Sequence, residues 1–309
     1  MPQNRVFVVR PHLPHGGSFM AYHMARILHR EFGYQGIGVS TGEPPLPPIF
    51  DYDPVFPSIT VDEMVATITD DDVLIANPAA SNFHLGLRCR GRKIMYIQHF
   101  NTFSLLDCRF DLYVSVSEIV RRVISATYGI ETAVIPPFIQ AERFPPAPPW
   151  RERPPRSILV SLKWDMALQH LLLDRLRTLV APSIALNDVL QGKLSQGELL
   201  ARIGGSRHFL TLSVAEGFGL MPLEAMAMGT TVLGFDGYGG RDYMQPGINA
   251  GVAAYPDVEG LAKQIAEIIE DPVRGEAMAE AGRAMARAPL YTYERFRTDW
   301  VEQFRRMFG

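Results

Sequence analysis

SVAEGFGLMPLEAMAMG, residues Ser213 to Gly229, is the most informative run in the chain. It follows His208 to Leu212, an apolar run that reads as a buried strand. Glu216 is then expected at the end of that strand. Gly217 and Gly219 carry no side chain, so their main-chain N–H groups are open to a ligand. Pro222 suits the first turn of a helix, where its missing N–H costs nothing. The order is therefore strand, polar loop, glycine turn and helix N-terminus. The positive end of the helix dipole suits a phosphate or sugar oxygen. Glu224 falls on the first helical turn, facing the same crevice. Two ionised carboxylates beside a glycine turn can accept hydrogen bonds from several hydroxyls. A sugar offers such donors in a fixed arrangement, and a ribose offers a vicinal pair. One ligand with both groups and a diphosphate between them is a nucleotide sugar.

Outward from this stretch, the chain alternates strand-type and helix-type runs, as parallel α/β proteins do. In the first part, Arg5–Val9, Ile37–Ser40, Val73–Ala76, Lys93–Ile97, Leu112–Val116 and Ala133–Ile135 read as strands. Ser18–Phe32, Val61–Ile68 capped by Thr60, and a segment from Ser117 to near Gly129 read as helices. This is a Rossmann-like layer. Prolines then crowd between Pro136 and Pro155, where neither a central strand nor a helix interior can continue. The pattern restarts with strands Ser157–Leu162, His208–Leu212 and Thr231–Phe235, and with helices Leu168–Leu179, Gly197–Ile203, Pro222–Met228 and Val258–Glu270. The expected division is a first domain over 1–140, a proline-rich linker over 141–156, a second domain over 157–288 and a C-terminal helix over 289–309. In that helix Tyr293, Phe296, Trp300, Phe304 and Met307 recur at helical spacing, which predicts that Trp300 is buried against the first domain.

Composition narrows the class. The 309 residues are 47% hydrophobic and 20% charged with a net charge of -3, the balance of a soluble globular protein without a field for nucleic acid or anionic lipid. The two cysteines, Cys89 and Cys108, form no metal or redox motif and suit a reducing cytoplasm. No secretory leader is read near Val6–Val9, and no window approaches about 20 uninterrupted apolar residues. His12 and His15 match no zinc spacing, so no metal site is expected. Core packing is the expectation for the helix Ser18–Phe32, with peripheral membrane contact not indicated.

The run Glu216 to Glu224 resembles the E-x7-E signature of retaining GT-B glycosyltransferases of family 4. Gly16-Gly17-Ser18 is similar to that family's first glycine loop, Tyr113–Glu118 to its end-of-domain strand and helix start, and Gly239-Gly240 with Gly247 to the segment after the motif. The resemblance implies an α/β chain of GT-B architecture, with two Rossmann-like domains facing a cleft and a C-terminal helix crossing back to the first. It implies an enzyme that moves a sugar from a nucleoside-diphosphate sugar to an acceptor hydroxyl, with retention and without metal or other cofactor. The acceptor would be a glycan, a lipid-linked sugar or a small molecule. By the same resemblance Glu216 contacts the donor sugar, and Gly217, Phe218, Gly219 and Leu220 offer amides to sugar and diphosphate. Glu224 takes the ribose hydroxyls, His99 lies near the transferred sugar, and Gly16 and Gly17 face diphosphate or acceptor. Lys163 supplies a cation for the leaving diphosphate. The family's second cation falls at Leu168–His170, where this chain has no lysine. A non-catalytic nucleotide-sugar-binding subunit, or another GT-B reaction such as an epimerase or hydrolase, remains the alternative.

Overall fold

Short apolar runs joined by amphipathic helices can bury both faces of a sheet only if the strands run parallel and the helices cover them. The computed structural model describes residues 4–9, 16–41, 53–161, 166–180, 187–188 and 194–309. They form two compact units, Met1–Pro137 with Tyr293–Gly309, and Phe138–Thr292.

The first unit contains β1 (Arg5–Val9), α1 (Gly16–Phe32), β2 (Gln35–Ser40), β3 (Ser58–Thr60), α2 (Val61–Thr67), β4 (Val73–Ala76), α3 (Leu85–Arg88), β5 (Arg92–Ile97), β6 (Leu112–Ser115), α4 (Glu118–Tyr128) and β7 (Ala133–Val134). Its seven strands lie in the order β3-β2-β1-β4-β5-β6-β7, and the paired neighbours are parallel. Local chemistry sets the helix ends. Thr60 and Glu63 form a reciprocal capping box on α2. Ser117 caps α4, and Gly129 ends it in the left-handed region at φ 67.

The second unit contains β8 (Ile158–Ser161), α5 (Met166–Val180), β9 (Asn187–Asp188), α6 (Gln196–Gly204), β10 (His208–Thr211), α7 (Leu220–Ala227), β11 (Thr231–Phe235), β12 (Ala250–Ala253), α8 (Val258–Glu270) and α9 (Pro272–Ala286). Its five strands lie in the order β12-β11-β10-β8-β9, again parallel. Leu172, Leu176, Leu261, Ile265 and Ile268 of α5 and α8 pack on Ile158, Val160, Leu210 and Leu233 of the sheet, all essentially without exposure.

The C-terminal helix α10 (Tyr293–Phe308) belongs to the first unit. Phe296, Trp300 and Phe304 are buried, and the Trp300 indole meets the Tyr96 ring edge-on at 5.5 Å. Phe304 and Phe308 pack edge-on against Phe32 of α1, and Arg297 pairs with Glu31 at 2.7 Å.

The proline-rich stretch differs from the expected linker. It is anchored inside the second unit, whose boundary lies at Phe138. Trp150 donates from Nε1 to the Arg207 carbonyl and Thr231 Oγ1 at 3.1 and 3.0 Å. Arg153, 4% exposed, donates to the carbonyls of Pro148, Ser206 and Met228 and to Thr230 Oγ1. A buried cation is tolerable only when its donors are satisfied in this way. Desolvation, with Arg283 nearby, pushes its guanidinium down to about 10.

Strands β3, β9 and β12 and helices α3 and α9 were not apparent from the sequence. In α9 the glycines Gly275 and Gly282 dilute the apolar stripe. They are needed for close approach: a Cβ on Gly275 would sit 3.0 Å from the Trp150 ring, and one on Gly282 would sit 3.2 Å from the Asn249 carbonyl.

Two tests follow from the packing. Trp300→Ala should cost about 3–5 kcal/mol, the usual range for emptying a buried aromatic site. The loss should appear as faster amide exchange in β1 and β5, and unchanged protection there would show that α10 does not support that sheet. His208 gives a pH test. Its ring is 1% exposed, Nδ1 lies 3.2 Å from the Ser157 carbonyl, and Nε2 meets no partner among the described residues. Burial lowers its pKa from 6.5 to about 4, so the unfolded chain binds the proton more readily. This contribution is complete above pH 6.5 and is lost as pH falls towards 4, up to about 3 kcal/mol. Denaturation of His208→Phe across that window should show a shallower pH slope than the native chain.

Candidate functional site

The strand order of the second unit reverses between β8 and β10, because β9 lies on one side of β8 and β10 on the other. In open parallel sheets such a switch point leaves a crevice outside the carboxyl ends of the strands. A small pocket occupies this position. Ser161 ends β8, Thr211 ends β10 and Phe235 ends β11; all three line it, with Ser213, Glu216, Gly219, Asp236 and Tyr243.

Glu216 is not at a strand end, as expected from sequence, but beyond Thr211 in a separate bridge. Its N–H donates to the Gly237 carbonyl at 2.7 Å, and its carbonyl accepts from Gly239 N–H at 3.2 Å. The bridged segment turns sharply. Gly239 N–H also donates to the Gly237 carbonyl at 2.9 Å, closing a γ-turn on Tyr238 at φ 66 and ψ -47. This hand of γ-turn is strained for a residue with a side chain. The Asp236 carboxylate holds it, accepting from Tyr238 N–H and from Arg241 Nε, each at 2.8 Å. The Arg241 guanidinium lies 4.6 Å from the centre of the Tyr238 ring. The Glu216 carboxylate accepts from Ser213 Oγ at 3.0 Å.

Helix α7 starts immediately after Gly219, whose φ of 87 places it in the left-handed region. Pro222 falls in the first turn as expected, whereas Glu224 lies one residue beyond it. The Glu224 carboxylate lies outside the pocket lining and accepts from Gln196 Nε2 of α6 at 3.4 Å. The Phe218 ring turns inward, 5.2 Å from Tyr243 and 5.9 Å from Tyr291. The Tyr243 hydroxyl donates to the Gly219 carbonyl at 2.5 Å. Burial, reinforced by the nearby Glu216 charge, holds its pKa well above the ordinary tyrosine value.

In the first unit, Gly16 and Gly17 open α1, and the Gly17 carbonyl accepts from Gln98 Nε2 at 2.8 Å. His99 follows β5, is half-buried, stacks on Phe100 at 5.4 Å and accepts at Nδ1 from Asn101 N–H at 3.4 Å. Lys163, His12 and His15 lie outside the described residues. Among the described residues, no group of three or more His, Cys, Asp or Glu side chains could hold a metal, and no helix is long and apolar enough to cross a membrane. Ser161 and Thr211 could have been found by applying the switch-point rule to their strands. Asp236 and Tyr243 carry no local signal of their place in the pocket.

Residues 187–285, which include Glu216, Glu224 and Tyr243, match the family model described as Glycosyl transferases group 1. The structure has the GT-B fold of the solved glycosyltransferases it resembles. Sucrose-phosphate synthase from Thermosynechococcus elongatus is 15% identical with a TM-score of 0.75, the match covering 99% of each chain. HepE from Anabaena, solved in complex with UDP and glucose, is 15% identical with a TM-score of 0.76, covering 98% of this chain and 100% of that one. The lipopolysaccharide core biosynthesis mannosyltransferase LpcC of Rhizobium leguminosarum bv. viciae is 41% identical over 83 residues, 26% of this chain and 24% of that protein. That likeness spans about a quarter of the relative's length.

The backbone pairing at Glu216 is directly testable. A Cβ on Gly239 would meet the Glu216 carbonyl oxygen and the Gly217 carbonyl group at 2.6 Å, all of it backbone that cannot swing aside. Gly239→Ala should therefore cost about 1–3 kcal/mol in chemical denaturation, the usual penalty of overpacking. Gly197→Ala, in open space on α6, should be neutral or slightly stabilising. Equal effects would contradict the close approach.

Proposed function

We propose that this chain is a glycosyltransferase that moves a sugar from a nucleoside-diphosphate sugar to an acceptor hydroxyl. The observation that carries the reading is the glycine turn from Glu216 to Leu220, set beside a pocket at the switch point and leading into α7. The family match over the same residues supports it.

In this reading Glu216, beside the pocket, takes hydroxyls of the donor sugar. The amides of the turn and the start of α7 face the diphosphate, where the helix dipole favours negative charge. Glu224, further along α7, takes the ribose hydroxyls. Lys163 and the turn amides stabilise the departing diphosphate, and His99, Gly16 and Gly17 serve the transferred sugar and acceptor. Transfer proceeds with retention and without metal: the leaving phosphate oxygen accepts the acceptor's proton on the face it departs from. The protein contributes by positioning and by electrostatic stabilisation of the leaving group. The acceptor is a glycan, a lipid-linked sugar or a small molecule. The mannosyltransferase and the HepE structure solved with UDP-glucose make nucleoside-diphosphate mannose and UDP-glucose the first donors to try.

A thermal-shift panel of nucleotide sugars tests the reading. A ligand at about 100 times its dissociation constant should add about 2.7 kcal/mol of stability. The division of roles is tested by calorimetry. Glu224→Ala should weaken the free nucleoside diphosphate and the intact donor alike, since both carry ribose. Glu216→Ala should weaken mainly the intact donor, and equal losses of free nucleotide in both variants would contradict the assignment.

A further inference from the structure

Helices α2, α4, α6, α8 and α9 each begin with a side-chain cap, from Thr60, Ser117, Ser195, Asp257 and Asp271. Helix α7 begins on Gly219, with no side-chain cap. A glycine at a helix start holds its peptide weakly, because it has wide freedom in φ and ψ. The Gly219 carbonyl and the Leu220 N–H belong to one planar trans peptide and point in opposite directions. Whatever holds the carbonyl therefore also aims the amide.

The Tyr243 hydroxyl holds it, donating to the Gly219 carbonyl at 2.5 Å from a position 1% exposed. Tyr243 is itself fixed. Asn249 Nδ2 donates to its carbonyl at 2.9 Å, and Asn249 Oδ1 accepts from Gln245 N–H at 2.7 Å. The Tyr291 hydroxyl donates to the preceding carbonyl, that of Asp242, at 3.2 Å. The phenol ring is walled by Phe218 at 5.2 Å and Tyr291 at 6.2 Å. Gly219 is also needed for the contact, since a Cβ there would approach the Tyr243 oxygen to 3.1 Å.

We propose that Tyr243 is a positioning residue for the diphosphate: by binding the Gly219 carbonyl it turns the Leu220 N–H outward as a preset donor to a phosphate oxygen. This rests on the nucleotide-sugar reading above. On that reading Glu224 takes the ribose, so the contribution of the Leu220 amide falls on the phosphate.

The test is calorimetry on the full chain and on Tyr243→Phe, which keeps the ring and removes one oxygen. UDP, GDP and ADP are titrated first into the native protein, and the tightest is compared with its nucleoside in both proteins. The variant should bind the diphosphate about tenfold more weakly, as expected for a misaligned hydrogen bond to a charged group. Its affinity for the nucleoside should be unchanged. Unchanged diphosphate affinity in the variant overturns the inference alone, and so does an equal loss of nucleoside, which marks a general structural role. Failure of the native chain to bind any of the three overturns the donor reading and the inference together. The thermal midpoint of Tyr243→Phe is read alongside. If that variant does not fold, Asn249→Ser, which loosens the Tyr243 main chain, is held to the same outcomes.

Discussion

The Glu216 amide donates to the Gly237 carbonyl, and the Gly239 amide donates back to the Glu216 carbonyl. These bonds add a rung beyond the carboxyl ends of the sheet, joining the segment after β10 to the segment after β11. That rung fixes the main chain at Glu216 from both its amide and its carbonyl. With it, the carboxylate stands beside the pocket in a place set by main chain, the least adjustable part of the protein. The cost is local: Tyr238 adopts a backbone conformation that side chains avoid, and Gly237 and Gly239 must remain bare. Asp236 offsets part of this by accepting at both carboxylate oxygens.

The rest of the second unit presents this rung at the right place. Parallel pairing puts the carboxyl end of every strand, and the loop that leaves it, at one end of the sheet, and the reversal between β8 and β10 opens a gap there. Below that end, the unit is secured by buried polar groups as well as by apolar packing. Arg153 gathers the carbonyls of Pro148, Ser206 and Met228, and the Trp150 N–H joins Arg207 to Thr231. Removing the Arg153 side chain would take its donor from the buried Met228 carbonyl, which is more costly than the bond alone is worth.

Features governed by neighbouring residues were legible in the sequence. The Thr60 and Ser117 caps, the left-handed Gly129 and the Pro222 helix start all arise within one turn of chain, where composition and conformation are closely linked. The stripe Phe296, Trp300 and Phe304 was legible because helical spacing implies a buried face. Long-range contacts were not. Nothing near Trp150 or Arg153 indicates that their partners lie more than fifty residues away, so abundant proline suggested a linker. Helix α9 was hidden for a related reason: Gly275 and Gly282 serve neighbours distant in sequence and weaken the pattern of their own helix. The same split runs through the site. Glu216 to Leu220 stood out because a glycine turn is a local requirement, while Tyr243 acts on Gly219, far back in the chain, and Asp236 reaches the pocket only because β11 pairs with β10.

Helix α10 has a consequence for how the protein is made. The first unit contains the N-terminal segment and α10, but the ribosome delivers the whole of the second unit between them. Tyr96 emerges before the second unit, and Trp300, the ring that closes over it, emerges only after it. The second unit is an uninterrupted stretch whose two ends are already joined by a main-chain bond from Ile139 to Tyr291. It can therefore complete its core while the first unit still exposes the apolar groove meant for α10. During translation the usual N-terminal-first order is reversed for this pair, and that groove is the surface on which a nascent chain would need protection longest.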